Sequence, residues 1–494
     1  MVFALSACKK DIGNYNYHDI NEWTISEIAP SYTAFQGSTL HINPKITYTQ
    51  DNSNDTTKYT YTWTSIDNKA IPVSKKVIAR TKNLNWTVSN PASDAAYTLL
   101  YEVTEKSTGL TFRSSTNLMV TSIISDGWLI LNDINGNARL DFMNRVNEDF
   151  VYFNNILASN STLTLTGKPK LLYFCQRRDP FTLVTAKSIF VGTDQSSFII
   201  NTQDNTFGNF WNITKSMSNY VPAPYYAENV RSQAAIFNNL TYMLDSKGQL
   251  LFENPMVSYS FGTAVNRTSN GTPFRISPYF AEAYGSIVTY GLMYDMDKKR
   301  FMEHKSYNTS SSVPSTSSNL FDPGNMNMDL IYMDYTTAFS GQTFALLKDN
   351  ANKIHLARIV CDYSSFNPRA FDEVAAPEML NATQFAIDPA EGYIMYVVGS
   401  KVYRYNPADQ SNTMIIDMGS RKISLIKYQR FVYAPKTERY AEYAKKLIIC
   451  SYDEAAPATS GTMDLYNVPS LNGAPSLYHS FTGLGKIVEV TYRE

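Results

Sequence analysis

Apolar and polar positions alternate along most of this chain in short runs, most plainly across residues 392–407, GYIMYVVGSKVYRYNP. The apolar runs 393–398 and 401–405 flank Gly399 and Ser400, and a two-residue loop opening with glycine suits a type II′ hairpin. The pattern predicts two adjacent antiparallel strands. Six looser copies begin at Trp128, Ser188, Thr241, Ser286, Thr343 and Lys446, each an apolar strand, a turn rich in Asp, Asn, Gly or Lys, and a second strand. With Tyr393 as the sixth start, the copies recur every 45 to 60 residues with a mean of 53. A repeat near this length, carrying strands and no helical period, predicts blades of four strands each. Seven hairpins therefore predict a seven-bladed β-propeller over residues 126–494. The C-terminal GKIVEVTYRE alternates Ile487, Val488, Val490 and Tyr492. Its expected place is the blade begun by the other end of the domain, closing the ring.

The chain before residue 126 is patterned differently. Residues 58–66 alternate with period two around Trp63, and residues 95–123 read as two or three strands joined by a turn at 107–109. About 100 residues of short alternating strands around a tryptophan predict an Ig-like β-sandwich over 23–125. No cysteine pair pins its sheets. The expected fold class is all-β throughout, and Asp126-Gly127 makes a short junction between the two domains. Residues 308–319, NTSSSVPSTSSN, form a low-complexity run expected to be a mobile loop between the fourth and fifth blades.

Composition agrees with strands. Tyr 35, Phe 26 and only 18% charged residues suit pleated, half-buried surfaces. A formal net charge of -1 offers no basic field for nucleic acid, which is not expected as a partner. No apolar run reaches the roughly 18 residues that span a bilayer. Cys175, Cys361 and Cys450 each lie in an apolar run without the spacing of a zinc site, and are read as buried thiols.

Residues 1–8 read MVFALSAC, and Leu5-Ser6-Ala7-Cys8 resembles the lipobox of bacterial lipoproteins, in which the cysteine is cut free and acylated. Cys8 is the expected lipidation site and residues 9–22 a tether. Only seven residues precede it, short of a full signal peptide, so the natural start is expected upstream. Lys9-Lys10-Asp11 resembles the signal that sends Bacteroidetes lipoproteins to the outer face of the cell.

The Tyr-Thr-Trp strand ending at Trp63 and the alternation Tyr97, Leu99, Tyr101, Val103 followed by Thr108-Gly109 resemble the PKD-like domains of Bacteroidetes surface lipoproteins. The order of lipobox, PKD-like module and repeated β domain is similar to PKD-like lipoproteins found beside starch-utilisation-system-like importers. That resemblance implies an accessory or ligand-capture subunit on the outer membrane at the cell surface, held by lipid alone. Its implied partners are a SusC-like TonB-dependent transporter and a SusD-like lid lipoprotein, and its implied ligand is an oligopeptide or glycan.

Residues that would carry catalysis are harder to find. No Gly-x-Ser-x-Gly elbow, phosphate-binding loop or His-Glu-x-x-His pair occurs. The histidines, His18, His41, His304, His355 and His479, are scattered. Asp133, Asn135 and Asn137 resemble half a calcium loop, but Asn144 stands where the bidentate Glu belongs. A hairpin turn is the preferred reading there, with calcium as the alternative and no other cofactor expected. The candidate ligand-binding residues are aromatics in proline-bearing sequence between the second and third hairpins: Trp211, Tyr225 and Tyr226, with Tyr220 nearby. Their rings suit sugar or peptide side chains, or alternatively packing between blades. A surface glycan hydrolase or lyase, or an adhesive docking protein, are the competing functions. Paired carboxylates for the former would be invisible in the sequence.

Overall fold

The structure, a computed structural model, describes residues 20–494 except 52, 54, 94, 123–125, 147–148, 179–181, 183, 204–205, 235–238, 254–259, 283–289, 306–307, 363 and 432–437. Cys8, Lys9-Lys10-Asp11, His18 and most of the expected tether lie outside the described residues. The described chain is all-β, with two short α-helices, Ile156–Asn160 and Glu438–Tyr443, among the described residues. It divides into two compact units, Met1–Ile123 and Ile124–Glu494.

In the first unit, a five-stranded sheet runs in the order Ser31–Phe35, Thr111–Thr121, Tyr97–Glu105, Tyr59–Asp67, Ser74–Ala79. Its first pair is parallel and the others antiparallel. Two further ladders pair Trp23–Ser26 with Lys45–Tyr48 and Thr39–Ile42 with Leu84–Thr87. The period-two pattern read from the sequence decides which face is buried. Tyr97, Leu99, Tyr101 and Val103 all point into one core, where they meet Trp63, Trp23 and Trp86.

The second unit holds seven small antiparallel sheets in chain order among the described residues. All seven predicted hairpins are antiparallel pairs. Gly399 takes φ +64 at the first loop position, and in the first hairpin Asn135 and Gly136 take φ +53 and +86, the left-handed pair that a type I′ turn requires. Asp133 spends its carboxylate on that turn, Oδ1 accepting from Gly136 N at 2.7 Å and Oδ2 lying 3.7 Å from Lys486 Nζ.

The first sheet joins both ends of the unit. Lys486–Arg493 pairs antiparallel with Gly127–Ile134, next to Asn137–Val146 and Asp149–Phe153. The strands Lys486–Arg493, Pro169–Arg178, Ala227–Ala234, Ala281–Glu282, Asp329–Thr336, Gln384–Ile387 and Lys422–Tyr428 each contact the next, and the last contacts the first. Successive sheets enclose apolar cores between them, such as the one joining Phe190 and Trp211 of the second sheet to Val230 and Met243 of the third.

Among the described residues the third and fourth sheets have three strands each. Irregular segments take the outer place. Gly262 N and Val265 N donate to Phe252 O and Leu250 O at 3.2 and 2.8 Å, and Ser312 exchanges backbone hydrogen bonds with Glu303 at 2.7 and 3.0 Å. The low-complexity run expected to be a mobile loop is therefore tied down. Ser311 adds bonds to Arg267 O at 2.7 Å and, through Oγ, to Val265 O at 2.8 Å. Without apolar alternation this serine-rich stretch supplies a single bridge and no full strand.

Candidate functional site

The site is built on a turn. Asp245 ends the strand Asn239–Asp245, and its Oδ1 accepts from Lys247 N at 2.9 Å and Gln249 N at 2.8 Å while Gly248 takes φ +73. An aspartate that caps its own turn is a local device. Here the turn also forms one wall of a cleft of about 240 Å³.

Two other segments complete that cleft. One is the connection from the second to the third sheet, carrying Tyr220 and Tyr225; the other follows the third sheet, carrying Phe261 and Arg267. Backbone bonds clamp them together, with Ser218 N donating to Phe261 O at 3.0 Å and Phe261 N to Ser216 O at 2.8 Å. Asn266 pins the second segment to the turn, its Oδ1 accepting from Leu250 N at 2.9 Å and its Nδ2 donating to Gly248 O at 3.0 Å. The cleft is thus held by main-chain and amide bonds on three sides.

The three aromatic candidates separate. Trp211 is 5% exposed in the core between the second and third sheets, and its Nε1 donates to Ser216 Oγ at 2.9 Å. Tyr225 packs in the same core, yet it lines the cleft, with its hydroxyl 3.5 Å from Met217 Sδ. Tyr226 is half-buried and away from the cleft lining, with Lys170 Nζ 6.0 Å above its ring. Tyr220, by contrast, is 92% exposed on the cleft wall. The structure therefore brings Tyr225 to Tyr220 and leaves Trp211 and Tyr226 elsewhere.

What the aromatic pattern did not announce is the charge. Asp245 is 1% exposed, and burial pushes its carboxyl up against the pull of the turn amides. The Tyr225 hydroxyl hydrogen-bonds that carboxyl from the same cleft wall, while the buried Nε of Arg267 has no hydrogen-bond partner. Lys247 acts on Asp245 through its charge, with its Nζ 5.8 Å over the Tyr225 ring. Burial and the neighbouring Asp245 charge both push the Tyr225 hydroxyl up. The cleft thus presents an acceptor, two cationic donors, amides and an exposed ring. Among the described residues Asp245 is the single carboxylate in its lining.

His304 serves packing. His304 is buried between the Tyr242 hydroxyl and Asn308 O, at 2.7 Å from each, and burial holds its pKa down to about 4. Cys175 and Cys450 are buried and Cys361 half-buried, all free thiols; burial raises Cys175 and Cys361 to about 12. Among the described residues no group of three or more His, Cys, Asp or Glu could hold a metal ion. No helix among them is long and apolar enough to cross a membrane.

Residues 8–169 match the PKD-like family. The match takes in the first unit and runs on through three strands of the first sheet of the second. No curated protein matches the chain. Among solved structures the chain is similar to a quinonprotein alcohol dehydrogenase-like protein from Bacteroides thetaiotaomicron, at 14% identity and a TM-score of 0.43, covering 94% of this chain and 97% of that one. It is also similar to an extracellular domain from Bacteroides thetaiotaomicron assigned to a one-component system, at 10% identity and a TM-score of 0.37, covering 91% of this chain and 66% of the other.

Proposed function

We propose that this chain is a non-catalytic lipoprotein of the cell surface, a ligand-capture subunit of a TonB-dependent outer-membrane importer. In this reading Cys8 carries the lipid, residues 23–125 form a PKD-like sandwich, and residues 126–494 form a seven-bladed β-propeller that presents the ligand site. The propeller reading is supported by the seven meander sheets and by the final strand pairing with the first.

The observation that carries the functional reading is the cleft beside Asp245. It joins an exposed aromatic ring to a buried carboxylate, two cationic side chains and side-chain amides, as a binding site does. Among the described residues its lining supplies one carboxyl group, where glycoside cleavage uses two about 5 to 10 Å apart. Capture without turnover fits that chemistry better than hydrolysis. The partners would be a SusC-like transporter and a SusD-like lid lipoprotein, and the cargo a glycan or oligopeptide.

The test is a pull-down of the tagged, lipidated protein from detergent-solubilised outer membranes, with partners identified by mass spectrometry. A co-purifying TonB-dependent barrel is the expected result, and Cys8→Ala should release the protein from the membrane fraction. Recovery of the protein alone would remove the importer reading.

A further inference from the structure

The strands that contact one another in a ring carry or adjoin several cations of the second unit, and most of these are answered. Lys427 Nζ donates to Glu489 Oε1 at 2.7 Å and to Val490 O at 2.8 Å. Arg177 Nη2 meets Glu253 Oε1 at 2.7 Å. Arg430 reaches Glu282 Oε1 at 2.6 Å and Asp334 Oδ1 at 3.1 Å, and also donates to the Tyr335 carbonyl. Arg231, on the strand Ala227–Ala234, differs. Among the described residues it donates no hydrogen bond and forms no ion pair. A guanidinium carries five N–H donors, and one placed inside a fold normally uses them. Its Nε is buried without a partner while the residue as a whole is half-buried, so Nη1 and Nη2 at its outer end are where it meets solvent.

The surroundings of Arg231 leave that outer end to something else. Asp334 and Glu282 feel its charge, but both carboxylates are committed to Arg430, and Asp334 Oδ1 also accepts from Tyr335 N at 2.9 Å while its Oδ2 lies 3.4 Å from the Tyr332 hydroxyl. Two half-buried tyrosines from other strands of the ring interact with the same guanidinium, Tyr173, whose hydroxyl accepts from Ser232 N at 3.0 Å, and Tyr332, whose ring centroid is 5.4 Å from that of Phe385.

We propose that the Arg231 guanidinium binds the carboxylate of a small organic ligand among the inner strands of the second unit, with Tyr173 and Tyr332 as flanking rings. Its planar fork matches a carboxylate through two parallel N–H···O bonds, which a single hydroxyl cannot accept as a pair. A ligand cation would meet Arg231 and Arg430 as like charges. A phosphate dianion would bring a second negative charge toward Asp334 and Glu282, so the single charge of a carboxylate is the better match. Uronic acids and the C-terminus of an oligopeptide both carry that group. The site shares no residue with the cleft beside Asp245 and does not depend on the capture reading.

The experiment is calorimetry on the purified full chain with matched pairs of ligands: uronic acid oligosaccharides beside their neutral counterparts, and tripeptides with a free beside an amidated C-terminus, with inorganic phosphate as a separate probe. The carboxylate-bearing member of one pair should bind at least about tenfold more tightly than its neutral partner, and which pair does so names the carrier. Arg231→Gln should weaken that binding by about 10- to 100-fold. Because Arg231 has no hydrogen bond within the protein to lose, the same variant should keep the thermal midpoint of the second unit. Should Arg231→Gln not fold, Arg231→Lys decides the matter, since it keeps the charge, loses the fork and should weaken the carboxylate ligand by about tenfold. Binding indifferent to these changes would overturn the site, as would no binding to any carboxylate on the panel. Tighter binding of phosphate, or equal binding within both pairs, would overturn the carboxylate class.

Discussion

The Arg177 guanidinium and the Glu253 carboxylate face each other as a two-pronged pair, Nη2 to Oε1 at 2.7 Å and Nε to Oε2 at 2.8 Å, with side chains 1% and 0% exposed. They join the second sheet to the third beneath the Phe261 ring, whose centroid lies 5.9 Å from the guanidinium carbon. Burial pushes the Glu253 carboxyl up to about 7, although Arg177 opposes the shift. A folded-state value above the unfolded one, about 4.3, means the native state holds the proton more tightly. The stability from this group is full below the unfolded value and is lost as pH rises through about 7. The thermal midpoint of the second unit should therefore fall between mildly acidic and neutral pH, and Glu253→Gln should flatten that slope. Parallel slopes in the two proteins would show that Glu253 does not titrate in this range.

A second buried charge depends on a longer reach. Arg430 follows the strand Lys422–Tyr428 of the seventh sheet, yet its Nη1 meets Glu282 Oε1 of the fourth at 2.6 Å and its Nη2 meets Asp334 Oδ1 of the fifth at 3.1 Å. Glu282 is 1% exposed and also faces the charge of the half-buried Arg231, so removing Arg430 takes the nearer cation from a buried carboxylate. Arg430→Met should cost about 1–3 kcal/mol of stability, since Arg231 still faces the same carboxylates. Urea unfolding of the full chain measures it; a loss below about 0.5 kcal/mol would mean that Arg231 or water compensates Glu282 once the Arg430 guanidinium is gone.

These relationships show what the sequence could carry. Gly399-Ser400 and Asn135-Gly136 were legible because a hairpin turn is specified by adjacent residues with local φ requirements. The alternation around Trp63 and Tyr101 was legible for a similar reason, since period two fixes the buried face. Arg430 and Glu282 stand 148 positions apart, and no local pattern links them. Asp245 was hidden differently. In sequence it is one more turn aspartate like Asp295 and Asp349, whose carboxylates also accept from the amides of their own turns, and its burial follows from two segments folding over it. Aromatic content pointed to the connection where Tyr220 and Tyr225 line the cleft, but could not tell a cleft wall from the core that holds Trp211.

The joining of the two ends of the second unit is also testable. Tyr492 on the last strand packs edge-on against Trp128 on the first, with ring centroids 4.8 Å apart and both side chains fully buried. Tyr492→Ala should cost about 3–5 kcal/mol through the cavity it leaves. Deleting residues 486–494 should do more, since Gly127–Ile134 would lose its ladder partner and become an exposed edge. Hydrogen exchange at residues 127–134 should then rise toward the unfolded rate. Unchanged protection there would mean that the final strand is dispensable.

The first unit should respond by itself to a change at its own centre. Trp63 is fully buried and stacks on Tyr101, with ring centroids 4.3 Å apart and planes 24° from parallel. Around them lie Leu99, Val103, Leu118 and Val120 in a core that no disulfide reinforces, because Cys175, Cys361 and Cys450 are free thiols of the second unit. A small domain without such a staple depends on its largest buried ring. Trp63→Ala should therefore remove about 3–5 kcal/mol, a large share of the stability of a unit this size. In a denaturant titration of the full chain read by hydrogen exchange, residues 97–105 should lose protection at lower urea, while residues 394–405 keep theirs. Simultaneous loss at both places would mean that the two units unfold as one cooperative body.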